Sequence, residues 1–349
     1  MFEDSTKISV TGDSFSTDIN VESGITYGFD SRYVSSVSIS GLLAGTEYIY
    51  RIWDGFNKSP VYDFKTAGID SQFRFLYMTD TQAETNLQAM ITRDLVQDAY
   101  EVYDDYSFSL MTGDLVETAA RELYWEWFYE ALNNQLPLVT VPGNHDYRDY
   151  TFNIVTPDYY NSFFNNPLNG PVEYLNTSYY FVYENTLFIM IDVVTGDNLS
   201  SQQAWLLDVV ENNPTTFIIV STHYSPYGTY HDSDAEQMIT DWLGVFDQAN
   251  VDLVLSGHDH IYARTDLLVG GVEATDPDTG SIYFIGGSSG HKLYQVDPGE
   301  ASMYEFYLAT TVSTISMISI TSNQILIESI DQTGSIVDTF TVAAKNFVA

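Results

Sequence analysis

The chain has 349 residues, 44% of them hydrophobic and 15% aromatic, so it can bury a large core and is not of disordered composition. It has no cysteine, which excludes disulfides and thiolate metal sites and leaves oxygen and nitrogen as the metal ligands. With 48 acidic against 12 basic residues the formal net charge is −36, which excludes a basic nucleic-acid-binding surface; an anionic substrate is admitted only where something local, such as bound divalent cations, reverses the sign.

Residues 1–69 read as all-β. Short alternating runs (TKISV, TDINV, VSSVSIS, EYIYRIW, VYDFKT) are separated by Gly, Asp, Asn and Ser turns. The stretch TAGIDSQ reads as a linker. From residue 72 the pattern changes to apolar strands alternating with helical stretches. FRFLYMTD is followed by LQAMITRDLVQDAYEVY, YSFSLMTGD, RELYWEWFYEALNNQ and LPLVTVPGNHD. Further strands fit YYFVYENTLFIMIDV, TFIIVSTH, VDLVLSGHDH and SIYFIGG, and further helices SQQAWLLDVVENN and AEQMITDWLGVFDQAN. This alternation predicts an α/β domain over 72–349. The last 40 residues return to strands (TISMISITS, QILIESID, VDTFTVAA) and read as a C-terminal hairpin of the same domain. No apolar run approaches the roughly 18–20 residues of a membrane helix, so no membrane span is expected. The start MFEDSTKISV lacks the basic and apolar regions of a secretory leader, which leaves a cytoplasmic protein or a leader already removed.

Five polar clusters follow apolar strands: Asp80-Thr81-Gln82, Gly113-Asp114, Gly143-Asn144-His145-Asp146, His223 and Gly257-His258-Asp259-His260. In α/β sheets ligands bind beyond the carboxyl ends of the strands, so these clusters can converge on one sheet edge. Asp and Asn supply hard oxygen ligands, and neutral imidazole suits Zn, Fe, Mn, Ni or Co. A shared carboxylate allows the roughly 3.5–4 Å separation of two-metal hydrolysis. Against each residue stands a plainer reading: a turn, a cap or a solvated loop histidine. The order and strand-end position of the whole series outweigh it. Tyr124, Trp125, Trp127 and Phe128 lie at helical spacing and read as packing.

The series D-x-Q, GD, GNHD, H, GHDH resembles the calcineurin-like metallophosphoesterases over roughly residues 72–300. GLLAGTEYIYRIWDG with FKTAG resembles the fibronectin type III-like domain that precedes the catalytic domain of purple acid phosphatases. Such a sandwich needs about 100 residues, so here its first strands would be missing or reduced. The resemblance implies two mixed sheets packed face to face between helices, and two divalent or trivalent metal ions such as Mn, Fe or Zn. One ion would be held by Asp80, Gln82, Asp114 and His260, the other by Asp114, Asn144, His223 and His258. His145 would contact phosphate and protonate the leaving oxygen, oriented by Asp146, with metal-bound hydroxide as the nucleophile. THYSPYGTYHDSD resembles a family stretch that would place Tyr227 and His231 in the substrate cleft, and Tyr262 and Arg264 often follow the last metal histidine.

Two positions depart from the pattern. Gln82 stands where many members have His, and Glu117 stands where purple acid phosphatases carry the tyrosine that colours their iron. No iron–tyrosinate chromophore is therefore expected, and Glu117 reads as a residue behind the ligands or at the surface. The expected activity is hydrolysis of phosphate esters on a small-molecule or polymer substrate, monoesters favoured. A phosphodiesterase on nucleotides, lipid headgroups or wall polymers is the nearest alternative, and a surface binding protein with a degenerate metal site is the alternative of another class. Proteins of this two-domain layout are usually secreted or held at the cell surface.

Overall fold

The computed structural model describes residues 7–12, 15–20, 22–25, 33–37, 39–53, 56–68, 72–132, 136–196 and 198–345. The central residues of the expected linker, 69–71, lie outside the described residues. So do residues 133–135, at the end of the helix expected over RELYWEWFYEALNNQ. Among the described residues no helix is long and apolar enough to cross a membrane.

The N-terminal part forms a four-stranded antiparallel sheet in the order Phe15–Asn20, Lys7–Gly12, Glu47–Trp53, Tyr62–Lys65, with a separate two-stranded ribbon of Glu22–Ile25 and Tyr33–Ser36. Tyr48 points inward from the third of these strands and stacks on Phe64, 5.6 Å between ring centroids.

The rest is built on two mixed sheets. One has six strands, ordered Ile336–Ala343, Gln324–Asp331, Thr314–Ile320, Phe73–Met78, Tyr106–Met111, Leu138–Thr140, the last three mutually parallel. The other has seven, ordered Tyr179–Tyr183, Thr186–Ile191, Phe217–Thr222, Leu253–Ser256, Ile282–Gly286, Tyr262–Arg264, Phe306–Tyr307, with four parallel strands from Thr186 to Gly286. Of the three C-terminal strands, Thr314–Ile320 pairs with Phe73–Met78 in antiparallel register, Ser316 opposite Tyr77, and the other two follow it outward, so they complete the first sheet as a meander of three rather than a lone hairpin.

Strict alternation sorts the side chains into layers. Phe75, Tyr77, Phe108 and Leu110 of one sheet meet Phe188, Met190, Ile219, Leu255 and Phe284 of the other in the central core. Their neighbours Leu76, Met78 and Met111 face the opposite way, against helices Asn86–Val102 and Glu122–Leu132. Leu187, Ile189, Val220 and Val254 do the same against helix Leu199–Asn212 and the helical run from Asp232 to Gln248. Strands covered on both faces carry near-continuous apolar runs for this reason. Helix Asn86–Val102 buries Ala89, Thr92, Leu95, Val96 and Ala99, one stripe at helical spacing, and starts where the Thr85 hydroxyl accepts the Gln88 amide at 3.3 Å. Trp125, as expected, is packing: it is buried against Phe163, 4.4 Å between centroids.

The parallel strands of both sheets bring their carboxyl ends to one edge. The loops leaving them are laced together there: Asp80 N donates to Gly113 O at 3.1 Å, Gly257 N to His223 O at 3.0 Å, and Ser289 N to Thr79 O at 2.8 Å.

Candidate metal centre

Each strand-end loop delivers its polar side chain to that edge. Asp80 follows Phe73–Met78, Asp114 follows Tyr106–Met111, Asn144 and His145 follow Leu138–Thr140, His223 follows Phe217–Thr222, and His258 and His260 follow Leu253–Ser256. The turns are tight. Asp80, Asp114, His258 and His260 have left-handed backbones, φ of 53°, 50°, 71° and 51°. L-residues adopt that conformation at a cost, and it clusters at functional sites. Gly143 and Gly257 sit where a Cβ would fall 2.3 Å from Asp114 Oδ1 and 2.4 Å from Asp80 Oδ2, so only glycine lets these loops close on the carboxylates.

Ligand atoms of Asp80, Asp114 and His223 all lie within 4.8 Å of one another, and all three residues are buried. His223 Nε2 is 3.3 Å from Asp114 Oδ1 and 3.2 Å from Asn144 Oδ1. His260 Nε2 is 3.3 Å from Asp80 Oδ1. The outer nitrogens are held from behind: His223 Nδ1 by Thr112 O at 2.7 Å, His260 Nδ1 by Lys292 O at 3.0 Å. This arrangement leaves each Nε2 facing the carboxylates, the second-layer support that metal-binding imidazoles require. His258 packs its ring against His223, 4.9 Å between centroids, and its Nε2 is 2.9 Å from Asp234 Oδ2. Gln82 is buried beside them and donates through Nε2 to Asp114 Oδ2 at 3.0 Å, while its Oε1 is buried with no hydrogen-bond partner. An orphaned carbonyl oxygen costs about 1–3 kcal/mol, and here it lies among hard donors. The donor set therefore fits cations of the Mn, Fe or Zn type.

The electrostatics agree. Burial alone would raise the Asp114 carboxyl, yet the His145 and His223 imidazoles hold it well below the ordinary range. Burial works to depress His223, but Asp114 outweighs it and lifts the imidazole to about 9. His260 is raised in the same way, burial opposing and Asp80 prevailing. His258 is lowered by burial despite Asp234. In short, two buried carboxylates draw positive charge to this edge, a demand that protons or a cation can meet.

His145 stands at the open side of the cluster. Its amide donates to Asp114 Oδ1 at 2.8 Å and its Nε2 is 3.7 Å from Asp114 Oδ2. Asp146 was expected to orient this ring, and the structure assigns that carboxylate elsewhere: it accepts Gly143 N at 2.8 Å, Leu115 N at 3.0 Å and Val116 N at 3.2 Å. Three amides from two loops occupy it, so it clamps the Asp114 and Asn144 loops together. Burial and the nearby Asp114 push it up to about 7, with the amides opposing. Glu117 meets the His145 ring instead, through its backbone oxygen at 2.8 Å from Nδ1 and its Oε2 at 3.4 Å. Rather than lying at the surface, Glu117 is buried and paired with Lys292.

His231 lies at the rim, its ring 4.0 Å from that of His258 and its Nδ1 3.0 Å from Asp259 Oδ1. Tyr227 does not join it. That ring packs on Tyr283 in the apolar core, 4.8 Å between centroids. Arg264 pairs with Asp338 at 2.9 Å and Tyr262 donates to Ser329 at 2.8 Å, so both brace the sheets. The sequence reading missed Asp234 behind His258 and Lys292 beside Glu117, and nothing in the local pattern marks either. It also passed over Asp259, although the GHDH motif contains it; this carboxylate accepts the His231 amide at 2.9 Å and fastens the rim loop.

Two mixed sheets between helices, with carboxylates and imidazoles gathered at their carboxyl edge, define a metallophosphoesterase-type protein. The profile of the calcineurin-like phosphoesterase family matches residues 73–262, over half of the chain, and the chain belongs to that family. Among curated proteins it is 26% identical over 295 residues to purple acid phosphatase 15 of Arabidopsis thaliana, covering 76% of this chain and 55% of that protein. It is 28% identical over 248 residues to purple acid phosphatase 22 of the same plant, covering 68% and 54%. The chain thus spans about half the length of these relatives. Among solved structures the fold matches purple acid phosphatase PPD1 of yellow lupin (Lupinus luteus) with a TM-score of 0.81 at 17% identity, over 97% of this chain and 69% of that one. It matches PhoD with a TM-score of 0.66 at 14% identity, over 97% and 86%.

Proposed function

We propose that this protein is a metal-dependent hydrolase of phosphate esters acting on monoesters. The observation that carries the reading is the convergence of buried Asp80, Asp114 and His223 around the unpartnered Gln82 oxygen, with His145 alongside. Asp80, Gln82, Asp114 and His260 would hold one cation, and Asp114, Asn144, His223 and His258 a second. Bound there, such cations supply positive charge against the phosphate oxygens and acidify water. The remaining chemistry belongs to the chain. Thr112 and Lys292 carbonyls fix which nitrogen of His223 and His260 faces inward. Glu117 takes the Nδ1 side of His145, which directs Nε2 to the reacting side. In its imidazolium form His145 would give the Nε2 proton to the leaving alcohol oxygen as the P–O bond breaks, the water oxygen would form the new bond to phosphorus, and the proton that water loses would pass to solvent, from which the imidazole is re-protonated. The names of the curated relatives favour a phosphomonoester.

The test is turnover of a chromogenic phosphomonoester and the matching diester. Metal-stripped protein is re-supplied with Mn, Zn or Fe, with Asn144→Ala and His145→Ala in parallel. Metal-dependent turnover that collapses in both variants supports the reading. Turnover indifferent to chelation and to both substitutions removes it.

The domain division is part of the same proposal: residues 1–69 form a fibronectin type III-like unit ahead of a phosphoesterase domain at 72–349. Limited proteolysis should cut between them first. A digest that spares this stretch while cutting inside either unit counts against the division.

A further inference from the structure

Basic residues are scarce in this chain, 12 among 349, yet two of them meet on one carboxylate beside His145. Lys292 Nζ pairs with Glu117 Oε2, and Arg148 Nη1 lies 3.8 Å from Glu117 Oε1. Arg148 Nη1 is also 2.7 Å from His145 Nδ1. The three charged residues arrive on separate loops: Glu117 after strand Tyr106–Met111, Arg148 after Leu138–Thr140 and Lys292 after Ile282–Gly286. Both cations keep 23% of their side-chain surface open, whereas the carboxylate between them keeps 9%. A structural ion pair needs one cation for one carboxylate. Here two cations serve one, so together they carry more N–H donors than that carboxylate can take. Cationic donors that keep open surface beside a site can take the oxygens of an incoming anion through charge-assisted hydrogen bonds. The pair sits against His145, whose Nε2 is 3.7 Å from Asp114 Oδ2, and Lys292 is tied to the same centre through its carbonyl contact with His260.

We infer that Lys292 and Arg148 form the seat for the non-bridging oxygens of the substrate phosphate, and that Glu117 holds the two cations in place until the anion arrives. This rests on the phosphoesterase reading above and gives it a direction: a monoester dianion gains more from two cations than a diester monoanion. It also explains how so acidic a protein receives an anion. Metal charge neutralises the ligating carboxylates, and the seat supplies the attraction that remains.

The probe is inorganic phosphate, measured by calorimetry on the full metal-loaded chain and as a competitive inhibitor, together with kcat/KM on a monoester and a diester. Variants are Lys292→Met, Arg148→Met, Lys292→Arg and the double variant Lys292→Met with Glu117→Gln. Loss of one charge-assisted hydrogen bond should weaken phosphate binding by about 10- to 100-fold. It should also lower the monoester rate more than the diester rate and leave metal content unchanged. Lys292→Arg should retain most of the affinity. The double variant decides the matter, because it removes the Lys292 charge together with the carboxylate that pairs with it. If its phosphate affinity stays low, Lys292 receives the anion. If removing Glu117 restores affinity, Lys292 is merely a counter-ion for that carboxylate and the inference is wrong. Unchanged phosphate affinity in the single variants overturns it equally. A wild-type protein that hydrolyses neither ester yet binds phosphate through Lys292 would overturn the enzymatic reading and keep the seat.

Discussion

Adding one methyl group at Gly143 should disable the metal centre without removing any ligand. A Cβ at this position would lie 2.3 Å from both Asp114 N and Asp114 Oδ1 and 2.8 Å from His223 Cε1. Ordinary contact begins near 3.4 Å, so the Asp114 loop must retreat by roughly 1 Å, and a dense interior yields that only with strain. Gly143 cannot retreat freely in its turn, because its amide is held by Asp146 Oδ2 at 2.8 Å. Overpacking of this kind costs about 1–3 kcal/mol of stability, and a 1 Å misplacement of reacting groups costs about 100-fold in rate. Gly143→Ala should therefore melt lower by a few degrees, bind metal substoichiometrically and lose about two orders of magnitude in kcat/KM. Gly244, whose Cβ would meet nothing within 4 Å and which lies in helix Gly244–Gln248, is the control. Gly244→Ala should keep full activity and gain about 0.5–1 kcal/mol. Metal content by elemental analysis, thermal unfolding and steady-state kinetics read all three effects. Wild-type metal content and turnover in Gly143→Ala would refute the reasoning, since the carboxylate would then not need the position in which it is found.

Three more tests address separate parts of the structure. His145→Ala should lower kcat by about 10²- to 10⁴-fold with metal content intact, whereas His223→Ala should lose metal; equal metal loss in both would mean that His145 is itself a ligand. Lys345, nearly buried, is 3.3 Å from Asp252 and donates to Asn250 O and Val251 O at 2.8 and 2.9 Å. Lys345→Met should destabilise the protein by about 3–5 kcal/mol, read by urea unfolding, while the turnover of the folded fraction stays unchanged. Iron-reconstituted protein should show no purple tyrosinate band, because Glu117 stands at the relevant position; a visible charge-transfer band would show that Tyr224 or Tyr294, which pack on His258 and His260 at 4.4 and 4.7 Å, reaches the iron.

The strand-end motifs were legible because each loop obeys one local rule: an apolar run ends, the chain turns sharply and a hard or borderline ligand follows. GNHD and GHDH carry their own glycines, and the structure explains those glycines by the close approach of Asp114 and Asp80. That strands are covered by helices was legible from the alternation of apolar runs with helical stretches, whereas the packing of two sheets face to face came only from the family resemblance. What could not be read were partnerships between distant loops. Lys292 and Glu117 are separated by 175 positions, and Asp234 reaches His258 from the first turn of helix Asp232–Met238, where an acidic residue reads as no more than a helix-start preference. The role of Asp146 misled for a related reason. Its place next to His145 in the chain suggests contact between the two side chains, yet the backbone turn sends them to opposite sides, one to amides and one to the cluster. In the N-terminal part, alternation marked the runs that carry Lys7–Gly12, Phe15–Asn20, Tyr33–Ser36, Glu47–Trp53 and Tyr62–Lys65 but not Glu22–Ile25, and it did not reveal how the strands associate, because register and sheet order depend on pairings that short strands specify weakly.

The four left-handed turns at Asp80, Asp114, His258 and His260 also bear on how such a protein ages. Each costs about 1–2 kcal/mol when the residue is not glycine, so together they consume a sum comparable to the net stability of a whole domain, about 5–15 kcal/mol. Cations bound at the proposed centre would offset that cost, so metal removal would lower stability as well as activity. In a descendant that has lost its substrate, selection for folding alone would replace these four residues with glycine, one after another, and each step would make the chain more robust. Glycine at these positions in a sister sequence would then mark a retired enzyme, one that keeps the architecture after the chemistry has gone.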